Sequence, residues 1–222
     1  MKNSKILVTG MSGLIGGLAG RQFAENYDVS ALGRSNVEGF TTSIVDIGDG
    51  IDNILPALDG VETVIHMAGS RGDVPAETHI KANVTGAYNL FEACRIAGVK
   101  RIVAASTGAV IAGYEKDEPF KSLVHDPGFE MPSPRLNITI DSPVRPRNMY
   151  SVSKMFTENL GRMYSEQHDM SIICIRVGKV EIDDVPLNAR NASVWCSHRD
   201  ILQMIDKAVH APADLKYAVV FA

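Results

Sequence analysis

What this chain has little of limits what it can be. No apolar stretch approaches the roughly eighteen residues that a membrane span needs, so no membrane is expected as a partner. The first residues lead into a five-residue apolar run, too short for a signal h-region and without a small-residue cleavage site, which points to a cytoplasmic protein. Basic residues are outnumbered, 22 Lys and Arg against 26 Asp and Glu, and they form no stripe or run, which argues against nucleic acid as a partner. Cysteine is scarce: Cys94, Cys174 and Cys196 are odd in number and widely spaced, which suits reduced, buried thiols better than a disulfide framework. In that compartment the sequons at Asn137 and Asn191 carry no meaning. The histidines never stand at ligand spacing with one another or with the cysteines, so no metal site is expected.

What is present is a core and a rhythm. A 222-residue chain that is 45% hydrophobic can bury one substantial core, so a single domain over 1–222 is expected. Short β-branched runs at 5–9, 28–32, 42–46, 63–67, 101–105, 171–177 and 217–221 alternate with helical patterns at 14–26, 51–58, 77–97, 150–168 and 198–210. Several of the runs are apolar throughout, as strands covered on both faces are. This alternation predicts an α/β fold with a doubly wound parallel sheet of Rossmann type. The rhythm breaks at 115–148, which carries six prolines, Pro119, Pro127, Pro132, Pro134, Pro143 and Pro146. Such a long structureless stretch predicts either an excursion beside the active site or a disordered surface insertion.

Gly10, Gly13 and Gly16 follow the first apolar run and precede a helical pattern. In that setting glycines allow a sharp turn and bare backbone N–H groups against a pyrophosphate, with a helix N-terminus facing the anion. The predicted cradle comprises Gly10, Ser12, Gly13, Leu14, Ile15 and Gly16. The second strand ends in Leu32-Gly33-Arg34-Ser35, without the carboxylate that would hold an adenosine ribose. Its absence removes repulsion of a 2'-phosphate, and Arg34 supplies a planar cation, so NADP is favoured over NAD. Asp46, with Ile47 beside it, is placed either to meet the adenine amino group or to cap a helix.

Far downstream stand Tyr150 and Lys154. Four positions apart on a helix, they project from one face. An ammonium beside a phenol favours phenolate, which fits Tyr150 to exchange a hydroxyl proton while a nicotinamide exchanges hydride, with Lys154 also holding the nicotinamide ribose. Ser106 and Thr107, at the end of the fifth strand, offer hydroxyls to orient a substrate oxygen.

Together with Val64-Ile65-His66-Met67-Ala68-Gly69, Asn83-Val84-x-Gly86 and Ile175-Arg176-Val177, these motifs span nearly the whole chain in one order. The sequence resembles the extended short-chain dehydrogenases/reductases, also called the NAD-dependent epimerase/dehydratase family. The resemblance implies that Ala68 and Gly69 line the adenosine and ribose side, that Asn83 supports that wall, and that Val177 and Gly178 face the nicotinamide carboxamide. It makes Thr107 the catalytic hydroxyl and Ser106 the alternative. It also implies a homodimer built on helices 77–97 and 150–168, although Phe91, Phe156, Leu160 and Met163 serve equally well as internal core.

Within the family the likeness is to uronate dehydrogenases, through Asn83-Val-Thr-Gly86-Ala-Tyr-Asn89, Ser142-Pro-Val-Arg-Pro146 and the stretch 190–200 containing Trp195-Cys-Ser197. It implies that 178–200 binds substrate, with Arg190 gripping a substrate carboxylate, and Arg71 offers a second anion contact. The chain departs from those relatives at Gly33-Arg34, in the length of 115–148, and in stopping at Ala222 just after the last predicted strand, which implies a small, shortened substrate-binding part. The expected activity is hydride transfer, with NADP or NAD, to or from a hydroxyl or carbonyl of a sugar, sugar acid or similar polar metabolite. The alternatives are a nucleotide-sugar epimerase or dehydratase with tightly held cofactor, and a non-catalytic NADP-binding sensor.

Overall fold

A computed structural model describes residues 4–222 apart from 127, 131 and 135, so Pro127 and the opening Met1-Lys2-Asn3 lie outside the described residues. Among those described, seven strands form one sheet: β1 (Lys5–Thr9), β2 (Asp28–Gly33), β3 (Thr41–Ile44), β4 (Val61–His66), β5 (Arg101–Thr107), β6 (Ser171–Val177) and β7 (Tyr217–Phe221). Every pairing is parallel and the spatial order is β3-β2-β1-β4-β5-β6-β7. The order reverses between β1 and β4, and in open α/β sheets the crevice outside the carboxyl ends of strands at such a point is where ligands bind.

The helices are α1 (Leu14–Ala24), α2 (Ile51–Ile54), α3 (Ala76–His79), α4 (Gly86–Ala97), α5 (Phe120–His125), α6 (Met149–Gln167), α7 (Ala189–Ser193) and α8 (His198–Val209). Alternation along β1 divides the core in two. Ile6 and Val8 pack with Phe23 of α1 and Ile201 and Ile205 of α8 on one face. Leu7 packs with Ile54 of α2, Leu90 and Phe91 of α4, and Leu160 and Tyr164 of α6 on the other. Helix α6, which carries the Tyr-Lys pair, starts with a capping box in which Asn148 accepts from Ser151 N–H and the Ser151 side chain reaches back to the cap. That exchange satisfies orphan donors at the helix start and fixes where Tyr150 begins its turn. Phe91 and Leu160 are internal core, whereas Met163 is partly exposed.

Four local expectations change. The helix expected at 77–97 is α3, a π-helical turn at Ile80–Thr85, and α4. The wider turn seats Asn83 between the Ser70 backbone and Ser153, three hydrogen bonds that compete with regular helix. The pattern at 51–58 tightens from α2 into a 3-10 turn at Leu55–Leu58, where Pro56 lacks an N–H donor. Strand β3 ends at Ile44 rather than 46, because Asp46 caps a 3-10 turn at Ile47–Asp49 and accepts from Gly48 N–H at 2.9 Å. The 115–148 stretch is partly structured: the chain enters it through 3-10 turns at Gly108–Lys116, anchored by buried Val110 and Ala112, and then forms α5. Its two ends meet, with Arg147 donating to Glu115 at 3.0 Å and Gly113 N–H and Arg145 N–H exchanging bonds with Arg145 and Val110 carbonyls.

Cys94, Cys174 and Cys196 are free and buried. No helix of the described residues is long and apolar enough to cross a membrane.

Candidate active site

The motif residues converge on the carboxyl edge of the sheet. Gly10 follows β1 with φ of 71°, and a Cβ there would stand 2.6 Å from Ala68 N, so the turn after β1 lies directly against the turn after β4. Only glycine accepts both that dihedral and that approach. Gly13 then stands at the start of α1 with no side-chain cap, and a Cβ at Gly13 would meet nothing within 3.4 Å but Gly10 O at 3.3 Å. The helix therefore presents bare N–H groups to open space at its positive end, which fits a dinucleotide pyrophosphate. Ser12 is exposed beside this opening, with Leu14 and Ile15 half-buried in the first turn of α1.

Thr9 pins the wall opposite. Its hydroxyl pairs with His66 Nδ1 at 2.8 Å and accepts Ala68 N–H at 3.2 Å. Full burial, and then the neighbouring Lys154 charge, push the His66 imidazole down to about 3, so it stays neutral. Asn83 holds both polar groups of Ser70 and donates to Ser153 at 2.9 Å, tying the turn after β4 to α6. At Gly69 a Cβ would lie 2.8 Å from Asn83 Oδ1 and 3.2 Å from Lys154 Nζ, so this wall and the lysine share one small space.

Lys154 is buried and donates to the Ala105 carbonyl at 2.9 Å, and burial pulls its ammonium down to about 8. The Thr107 hydroxyl lies beside the Tyr150 phenol. Burial pushes the phenol above its ordinary value, opposed by the neighbouring Thr107 hydroxyl and by the Arg71 guanidinium. The sequence expectation was that Lys154 lowers the phenol; in this geometry desolvation prevails, and the electrostatic help comes from Arg71 instead. Thr107 also accepts Ala109 N–H at 3.1 Å. Ser106 faces away, donating to Glu158 Oε1 at 2.5 Å, which separates the roles of the two hydroxyls. Val177 ends β6 in register with Thr107, next to Gly178.

Sequence reasoning missed three supporting groups. Glu158 lies four residues beyond Lys154, on the face of α6 that Tyr150 and Lys154 share, and forms a bidentate pair with Arg176 at 2.9 and 2.9 Å. The signal was there in the 150, 154, 158 spacing. His79 is buried with its ring 5.8 Å from that of Tyr150 and its Nδ1 without a partner among the described residues. Glu115 carries the third role: both of its oxygens hold Arg190, at 2.6 and 3.0 Å. Arg190, expected to be free for a carboxylate, is thus already engaged. Arg71 is exposed, as is Arg34 beyond β2, while Asp46 serves as a cap 3.5 Å from Lys81 Nζ and Ile47 is packed into the core. Among the described residues no group of three His, Cys, Asp or Glu is placed to hold a metal ion.

A doubly wound parallel sheet, an uncapped glycine-lined helix start at its switch point, and a Tyr-Lys pair beside a strand-end threonine define the dinucleotide-dependent oxidoreductase class. The chain belongs to the NAD dependent epimerase/dehydratase family, which residues 6–182 match. An NAD-dependent glucose-6-phosphate dehydrogenase of Haloferax volcanii is 27% identical over 227 residues, covering 97% of this chain and 83% of the relative. An L-arabinose 1-dehydrogenase (NAD(P)+) of the same organism is 28% identical over 218 residues, covering 94% and 83%. A solved uronate dehydrogenase from Agrobacterium tumefaciens, a mutant complexed with NAD, superposes with a TM-score of 0.82 at 28% identity, covering 98% of this chain and 76% of that one.

Proposed function

We propose that this protein is an NAD(P)-dependent oxidoreductase acting on a hydroxyl or carbonyl carbon of a sugar, sugar acid or similar polar metabolite. The observation that carries the reading is the Thr107 hydroxyl beside Tyr150, on the helix that also carries buried Lys154, at the same sheet edge as the glycine cradle. When bound, the dinucleotide supplies a nicotinamide ring that accepts or returns hydride. The chain supplies the rest. Thr107 and Tyr150 bracket the substrate oxygen, and Tyr150 gives its proton to a carbonyl being reduced or takes one from a hydroxyl being oxidised. Lys154, Gly69 and Asn83 form the wall for the nicotinamide ribose, with Ala68 beside them. The Gly10–Gly16 turn takes the pyrophosphate, and Val177 the nicotinamide side.

Arg34, with no carboxylate at the end of β2, favours a 2'-phosphate and so NADP. Arg71 and Arg190 are the substrate-side cations. Residual apolar exposure at Tyr88 and Ile96 of α4 and at Val152 and Met163 of α6 supports a homodimer through these helices, in the cytoplasm.

The test is a panel of sugars, sugar acids, aldehydes and ketones, followed by NADH or NADPH absorbance with both cofactors. Turnover that vanishes in Tyr150→Phe while cofactor affinity persists is the expected result. A panel with no absorbance change in the wild type overturns the reading. A lower Michaelis constant for NAD than for NADP overturns the cofactor preference alone.

A further inference from the structure

Glu115 lies on the stretch of chain that leaves the reaction centre. It lies eight residues after Thr107, in the 3-10 turns that leave β5. Its partner Arg147 immediately precedes Asn148, the cap of the helix that carries Tyr150. Its other partner, Arg190, belongs to α7. One carboxylate joins all three elements: Glu115 Oε1 accepts from Arg190 Nη2 at 2.6 Å, and Oε2 accepts from Arg190 Nε at 3.0 Å and from Arg147 Nη1 at 3.0 Å. The Nε–Nη2 edge of a guanidinium is the fork that takes a carboxylate side-on. In Arg190 that fork is filled from within the chain.

We propose that Glu115 determines specificity: it occupies Arg190 as an internal carboxylate, sets the rim against sugar acids, and directs the site to an uncharged sugar. The inference rests on the oxidoreductase reading above. A substrate carboxylate that seeks Arg190 has to displace Glu115, whose side chain is 17% exposed, and leave two anions side by side with one fork between them. A neutral hydroxyl needs no displacement, because it donates to the remaining lone pairs of Glu115 and accepts from the outer N–H groups of Arg190. The three residues carry one net positive charge, but it rests on Arg147, the more exposed arginine at 42%, where salt screens it over about 10 Å. Besides buried Lys154, the cation near Tyr150 is Arg71, and it stands exposed to water.

Calorimetric titration with NADP present, using glucose against glucuronate and galactose against galacturonate, reads this directly, alongside NADPH absorbance. The expected wild-type result is neutral sugar bound about tenfold more tightly than its uronate, with Glu115→Gln narrowing or reversing that ratio by about tenfold. Adding Arg190→Leu to Glu115→Gln should abolish the gained uronate binding, which shows that the gain passes through Arg190. NADP affinity equal to that of the wild type confirms that each variant is folded. Three results overturn the proposal: uronate preferred by the wild type, an unchanged ratio in Glu115→Gln, or neither sugar bound by either protein. The expected binding ratios without any absorbance change support the role of Glu115 and overturn the oxidoreductase reading instead.

Discussion

The proposed cofactor side and the proposed substrate rim of this site are made of different material. The cofactor side proposed is backbone: the turn at Gly10, the uncapped N–H groups that open α1 after Gly13, and the Ser70 main chain held by Asn83. The rim is side chain against side chain, Glu115 with Arg147 and Arg190, over separations of 32 and 75 residues. Backbone sites present fixed dipoles that recognise what all dinucleotides share. A rim of paired charges is replaced one residue at a time, so it is where members of one fold diverge in substrate.

Acid gives the largest expected separation of the two. His66, which seats the cofactor wall through Thr9, is held at about 3 by burial and by Lys154, whereas an unfolded histidine titrates near 6.5. Below 6.5 the unfolded chain takes up a proton that the fold refuses, so stability present above that value is lost as pH falls towards 3, on the order of 5 kcal/mol in all. Urea unfolding across this window should be steeper in pH for wild type than for His66→Gln by about that amount. Equal slopes would remove His66 from the account. Next, Tyr150→Phe should lower kcat on the order of 10^3-fold with NAD affinity unchanged, since it deletes a proton carrier and neither wall. Gly10→Val should raise the cofactor dissociation constant roughly a hundredfold through backbone strain while the sugar selectivity ratio stays put. Smaller still is the pH dependence of oxidation. The raised phenol means that phenolate is scarce near neutrality and grows with pH, so kcat/KM should climb up to about tenfold per unit between pH 6 and 8. A flat profile there would show that Tyr150 is not the base. Glu115→Gln, moving only uronate selectivity, completes the contrast.

Sequence disclosed these halves unequally. Strand positions, the glycine turn and the Tyr150–Lys154 pair follow from local pattern, because each depends on periodicity or on spacing within one element, whereas the choice of Thr107 over Ser106 rested on the family resemblance. The parallel sheet followed from alternation. Glu115 could not be found this way: it has no motif, and its meaning depends on Arg190 arriving from another element. Arg190 was expected to grip a substrate carboxylate, and in the structure both oxygens of Glu115 hold it. The Tyr150 environment was misjudged for a related reason, since adjacency to Lys154 is visible in spacing but burial is not. The turn at Ile80–Thr85 was hidden because its composition suits a plain helix, and only the Ser70 and Ser153 contacts distinguish it.

That π-helical turn sets a phase difference. One residue of an α-helix is about 100° of rotation, so a single additional residue within Ile80–Thr85 leaves α3 and α4 out of step by that angle. His79 can then face Tyr150 while Leu90 and Phe91, on the same run of chain, still face the core. The segment behaves as a vernier between two rigid rods. Deleting one residue from it would straighten the helix and turn the whole Ala76–His79 segment off its mark, so this stretch of sequence tolerates substitution far better than a change of length.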